Sequence, residues 1–126
     1  MKKISIIAMM ICLSLLLIFN CTLAGTEFNM IGTWKGKINE DSIKAKVTMT
    51  INSNDTGNLK FKYDDGTSTD DDFKILVANS NAKTIDFKFD NWIFDSGTYS
   101  YSLSNNRLII KKFDFFVAKI DLKLNK

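Results

Sequence analysis

The chain has 126 residues, 45% of them hydrophobic and 25% charged, with two cysteines, no histidine and no proline. This composition excludes disordered and fibrous classes and leaves room for one hydrophobic core. The formal net charge of +3 does not indicate a nucleic-acid partner, because Lys2 and Lys3 supply two of the 17 basic residues and none of the 14 acidic ones, which leaves 15 against 14 beyond them.

Residues 1–24 read as an export signal: Lys2 and Lys3 form the basic end, Ile4 to Phe19 the apolar run, and Thr22-Leu23-Ala24 a small-x-small exit before Gly25. At about 1.5 Å per residue the apolar run reaches roughly 24 Å, short of the roughly 30 Å hydrocarbon core that a permanent span must cross. A second exit competes with the first. Leu17-Ile18-Phe19-Asn20-Cys21 resembles a lipobox, with Ile18 and Asn20 standing where that family has leucine and a small residue. It implies lipidation of Cys21. Either way the protein is expected to be exported, to the periplasm or cell surface, soluble or lipid-anchored, with any membrane contact made through that anchor. Cys12 and Cys21 both precede Gly25, so no internal disulfide is available and stability must come from packing and strand pairing.

Residues 25–126 are expected to form one domain. Period-two alternation, the mark of strands with one buried face, recurs eight times. In chain order the inward sets are Trp34 and Ile38; Ala45, Val47, Met49 and Ile51; Leu59, Phe61 and Tyr63; Phe73, Ile75 and Val77. They continue with Ile85, Phe87 and Phe89; Tyr99, Tyr101 and Leu103; Leu108 and Ile110; and Phe116, Ala118, Ile120, Leu122 and Leu124. Between them lie Asn52 to Gly57, Asp64 to Asp72, Asn79 to Lys83, Asp90 to Gly97 and Ser104 to Asn106, all rich in turn-forming residues. Connections this short join antiparallel neighbours. An all-β, eight-stranded antiparallel up-and-down barrel follows, since closure removes the two exposed edges that a meander otherwise leaves. A two-sheet sandwich satisfies the same alternation and is the competing architecture.

The run Gly32-Thr33-Trp34 at the start of the first strand resembles the G-x-W motif of lipocalins and related small barrels. The resemblance implies a lipocalin-like barrel with Trp34 as a plug at its closed end and glycine letting the chain pass close by. It also implies a cation over the indole from near the end of the barrel. Arg107, the sole arginine, falls in the seventh strand, so Lys119 and Lys123 of the last strand are the candidates here.

The absence of histidine removes Ser-His pairs and imidazole metal ligands, and export leaves no free cysteine nucleophile, so an enzyme is not expected and no cofactor is indicated. If Trp34 marks the closed end, the odd-numbered connections emerge at the opposite mouth. These are Asn39 to Ile43, Asp64 to Asp72, Asp90 to Gly97 and Phe113 to Phe115, and they carry Glu40, Asp41, Asp64, Asp65, Asp70, Asp71, Asp72, Asp90, Asp95 and Asp114. Such a rim could bind a cation: calcium held by Asp70, Asp71 and Asp72, or an organic amine with Trp92 as an aromatic wall. A solvated acidic loop is the alternative. Trp92 itself has no strand-face role and could equally be a lid over the core.

Two functions remain open at this point. One is a non-enzymatic lipocalin-like binding module for a small molecule or cation, recognising it by loops at the acidic mouth. The other is a structural or protein-interaction envelope lipoprotein with a filled barrel. A cavity of a few hundred Å³ separates them.

Overall fold

Strand formation follows the alternation: β-branched and aromatic side chains on one side of each run gain burial only if the chain is extended and paired. The structure, a computed structural model, describes residues 28–115 and 118–126; the segment read as an export signal, with Cys21, and Phe116 lie outside them. A short 3₁₀ turn, Phe28–Met30, leads into β1 (Gly32–Asn39), β2 (Lys44–Ile51), β3 (Thr56–Tyr63) and β4 (Ser68–Asn79). The chain continues through β5 (Thr84–Phe89), β6 (Gly97–Ser104), β7 (Arg107–Phe115) and β8 (Ala118–Asn125). Each strand pairs antiparallel with the next, and β8 returns to β1 to close the barrel in strict sequence order. The sandwich alternative is thereby excluded.

Closure is uneven. β1 and β2 pair from Gly32↔Ile51 to Asn39↔Lys44, whereas β1 and β8 pair only at Lys35↔Asn125 and Gly36↔Leu124. Gly36 permits even this, because a Cβ there would run into the Lys123 carbonyl oxygen. Beyond the two pairs a cleft of about 390 Å³ lies between Ile38, Asn39 and Glu40 on one side and Lys119, Ile120 and Asp121 on the other.

The core is made of the inward residues that parity assigns, with two departures that share a cause. A bulge between Ile75 and Val77 in β4 inserts one residue, so Val77 turns outward, half exposed, and Ala78 takes the buried place. A second irregularity, between Ile110 and Phe113 with Lys112 at a positive φ, extends β7 to Phe115. Phe113 to Phe115 is therefore strand rather than connection, and Phe113 and Phe115 are buried. Asp70, Asp71 and Asp72 likewise belong to β4, so the β3–β4 connection is Asp64 to Thr67 alone.

The barrel is filled by its own rings. Phe73 meets Phe87 edge-on at 4.9 Å between centroids, Phe89 lies 6.1 Å from Phe113, and Tyr99 lies 5.0 Å from Phe113. Offset and edge-to-face geometries of this kind add to the roughly 2 to 3 kcal/mol that each buried ring contributes by leaving water.

Candidate functional site

The closed end is built from a local contact and a distant one. Trp34 is fully buried, and its indole N–H donates to the carbonyl of Met30 four residues earlier at 2.8 Å. The cation over its ring is Lys126, with Nζ 5.3 Å from the centroid, rather than Lys119 or Lys123. Those two alternate outward on β8, so neither can reach an interior ring; Lys126 follows the strand and folds back across the barrel end. The same ammonium donates to the carbonyl of Ile31 at 2.6 Å. Gly32, at φ +136°, makes room, since a Cβ would stand 2.7 Å from Lys126 Cε.

At the mouth the three successive aspartates part company. Strand parity points Asp71 inward beside Phe73, where it is buried, and turns Asp70 and Asp72 out to solvent. One side-chain amide, Asn58 Nδ2, donates to both outward carboxylates, at 3.2 Å to Asp70 and 2.9 Å to Asp72. The proposed calcium set is thus not assembled: a strand cannot aim three consecutive side chains at one ion. Among the described residues no group of three acidic side chains is placed to hold a metal.

Asp71 has other partners. Its carboxylate accepts the backbone N–H of Asn91 at 3.1 Å, the backbone N–H of Ile93 at 3.1 Å, and the side-chain amide of Asn91 at 3.1 Å. Two backbone N–H groups two residues apart converge on one anion when the residue between them adopts a left-handed conformation. Trp92 is that residue, at φ +59°. The buried charge is thereby hydrogen-bonded as burial demands, and the β5–β6 connection is pinned to β4.

Pinning sets two side chains in opposite directions. Phe94 turns inward, fully buried, and lies 5.1 Å from Phe61, 5.3 Å from Phe89, 5.9 Å from Phe113 and 5.7 Å from Phe115. Phe94, not Trp92, is the lid. Trp92 stands 73% exposed with Ile93 beside it at 40%.

The rim remains acidic without Asp70, Asp71 and Asp72. Glu40, Asp41, Asp64, Asp65, Asp90 and Asp95 are exposed in three connections at the mouth. Asp65 accepts the Thr67 hydroxyl and backbone N–H, which hold its carboxyl below the usual value. Asp114 is half-buried in β7, 3.7 Å from Lys119. Below the rim, Tyr99 donates its hydroxyl to the carbonyl of Asp95 at 2.6 Å; burial, then the negative charge of Asp114, pushes its pKa up to about 12.

The outer wall holds what the sequence reading missed. β1, β2 and β3 carry six lysines and no acidic residue, and register lines them up: Lys37 is opposite Lys46, which is opposite Lys62. Basic residues are therefore concentrated on one face despite the near-neutral total. No family model, no curated protein and no solved structure matches the chain.

Proposed function

We propose that the protein is a non-enzymatic exported module whose lipocalin-like barrel is structural inside, so that recognition falls to its outer wall and mouth. The observation that carries this reading is the filled interior. Phe61, Phe73, Phe87, Phe89, Phe94 and Phe113 are all at most 1% exposed, and Phe94 closes the mouth where a ligand would enter. An eight-stranded barrel is just wide enough either to be filled by side chains or to hold one small ligand, and these rings take up that width. Of the two functions open from the sequence, the envelope module with a filled barrel is favoured over small-molecule carriage.

Among the described residues four concavities, the seam cleft included, open on the outer wall or at a barrel end, with Lys46, Asn58, Asn29 and Lys119 in their linings. These are surface features, suited to partners that stay outside. The test is titration of the natively produced protein with an apolar fluorophore that brightens in dry cavities, together with mass spectrometry for co-purified small molecules. No saturable brightening and no stoichiometric ligand are expected. A one-to-one apolar ligand displaced by the fluorophore would overturn the filled-barrel reading.

A further inference from the structure

We propose that the lysine wall formed by β8, β1, β2 and β3 is a docking face for an anionic phospholipid surface. The proposal rests on the exported-module reading above and names the partner of its outer wall. A groove of about 720 Å³ on this wall is lined by Lys35, Lys37, Lys46, Lys60, Lys62 and Lys123. Among the described residues none of the six makes an ion pair.

Register makes the wall a grid. Lys37, Lys46 and Lys62 stand directly opposite one another across three strands; Lys35, Thr48 and Lys60 form the next row. Strands lie about 4.8 Å apart, so the first row spans about 10 Å. Lys123 continues it on β8, since it follows the Lys35↔Asn125 and Gly36↔Leu124 pairs in register. Like charges directly opposite destabilise a sheet. Edge protection, a common use of strand lysines, accounts for those beside the weak β1–β8 seam but not for Lys46 and Lys62 on β2 and β3, which are paired on both sides; Lys60 stands opposite Asp70 of β4. An external polyanion offsets the repulsion of the whole row at once.

Two observations favour lipid headgroups over a nucleic-acid chain. Single-stranded nucleic acid is held by aromatic platforms as well as charge, and the outward positions of these strands carry lysine, threonine and asparagine without a ring. The wall also begins at the end of the barrel where the preceding 27 residues, with their apolar run Ile4 to Phe19, join β1. An anchor at Cys21 would leave residues 22–27 as the tether, at most about 20 Å long when fully extended. Such a tether is short enough for the wall to reach a bilayer, whose surface charge acts over about 8 to 10 Å.

The experiment measures partition of the host-processed protein between water and vesicles of phosphatidylcholine alone, or of phosphatidylcholine and phosphatidylglycerol in equal parts. Lipidation or the apolar segment contributes equally to both, so the ratio isolates charge. The anionic vesicles should be preferred, and high salt should erase the preference. Each lysine near an anionic surface contributes a factor of about 5, so K37Q/K46Q/K62Q should lower the ratio by on the order of 10- to 100-fold. K74Q/K88Q/K111Q removes the same charge from outward positions on β4, β5 and β7 and should leave most of it. Circular dichroism checks that both triples fold. Equal losses from the two triples, indifference to phosphatidylglycerol, or tight binding to an oligonucleotide with no vesicle preference would each overturn the proposal. A saturating apolar fluorophore would sink the filled-barrel reading while leaving the partition ratio unmoved, so the two failures are distinguishable.

Discussion

The barrel's two ends solve one problem by different means. Each must seal a hydrophobic interior where the sheet stops and backbone groups lose their ladder partners. At the closed end a single large side chain, Trp34, fills the opening and bonds within its own segment to Met30, and Lys126 covers it from outside. At the mouth the seal is a loop: Phe94 supplies the ring, and a buried carboxylate twenty residues upstream, Asp71, holds the backbone that aims it. A plug depends on volume, whereas a pinned loop depends on hydrogen bonds.

Removing the plug should have the largest effect. Trp34→Ala is expected to destabilise the protein by about 3 to 5 kcal/mol, the usual range for a buried aromatic, in denaturant unfolding followed by circular dichroism. A loss under about 1 kcal/mol would mean that the ring does not fill the end. Next comes Asp71→Ala, which strands the N–H groups of Asn91 and Ile93 near the barrel interior and should cost about 3 kcal/mol. Its signature separates it from Trp34→Ala: Trp92 emission and protease sensitivity of residues 90–96 should change first, well below the global unfolding midpoint.

A smaller effect is read by pH. The Tyr99 hydroxyl is raised from 10 to about 12 in the folded state, so the fold holds this proton more tightly than the unfolded chain does. Its contribution is complete below pH 10 and is lost as pH rises through the folded value. Tyr99→Phe should flatten the decline of stability between pH 10 and 12 without changing stability near neutrality by more than about 1.5 kcal/mol, the net value of one hydrogen bond. An unchanged alkaline slope would assign the decline to other groups. The smallest effect is expected at Trp92. Trp92→Gly removes an exposed indole and relieves a left-handed conformation that costs a side-chain-bearing residue about 1 to 2 kcal/mol, partly offset by glycine's greater freedom when unfolded. Stability should stay within about 1 kcal/mol of wild type, and a larger loss would show that the indole packs on the mouth.

The plug of the closed end was legible in the sequence because it is local: Gly32-Thr33-Trp34 is contiguous, and parity carries Trp34 to the inner face; its cation was not, because Lys126 lies beyond the last alternating set and folds back from a distance. The mouth was less so. Three aspartates in a row read as a loop by composition, yet Asp71 has the same parity as Phe73 and Ile75, and extending β4 back by two residues would have turned it inward. The bulges hid Ala78, Phe113 and Phe115 by breaking the period on which the reading depended. The lysine wall was hidden differently. Parity placed every one of those lysines outside, but which stand beside each other depends on register, and hairpin register is fixed by turn geometry that residue pattern alone leaves open.

The brevity of the β1–β8 seam bears on how the barrel forms in time. Seven of its eight seams join strands adjacent in sequence and can zip from a turn; only the β1–β8 seam, with Lys35 opposite Asn125 and Gly36 opposite Leu124, spans nearly the whole domain. Closing so long a loop for two residue pairs gives little return for the chain entropy lost, so this seam should form last and set the folding rate. β1 is the first strand of the chain to become available, and its free edge must wait for β8. Lys35 and Lys37 flank that edge, where their charge discourages a second chain from pairing before the barrel's own last strand arrives.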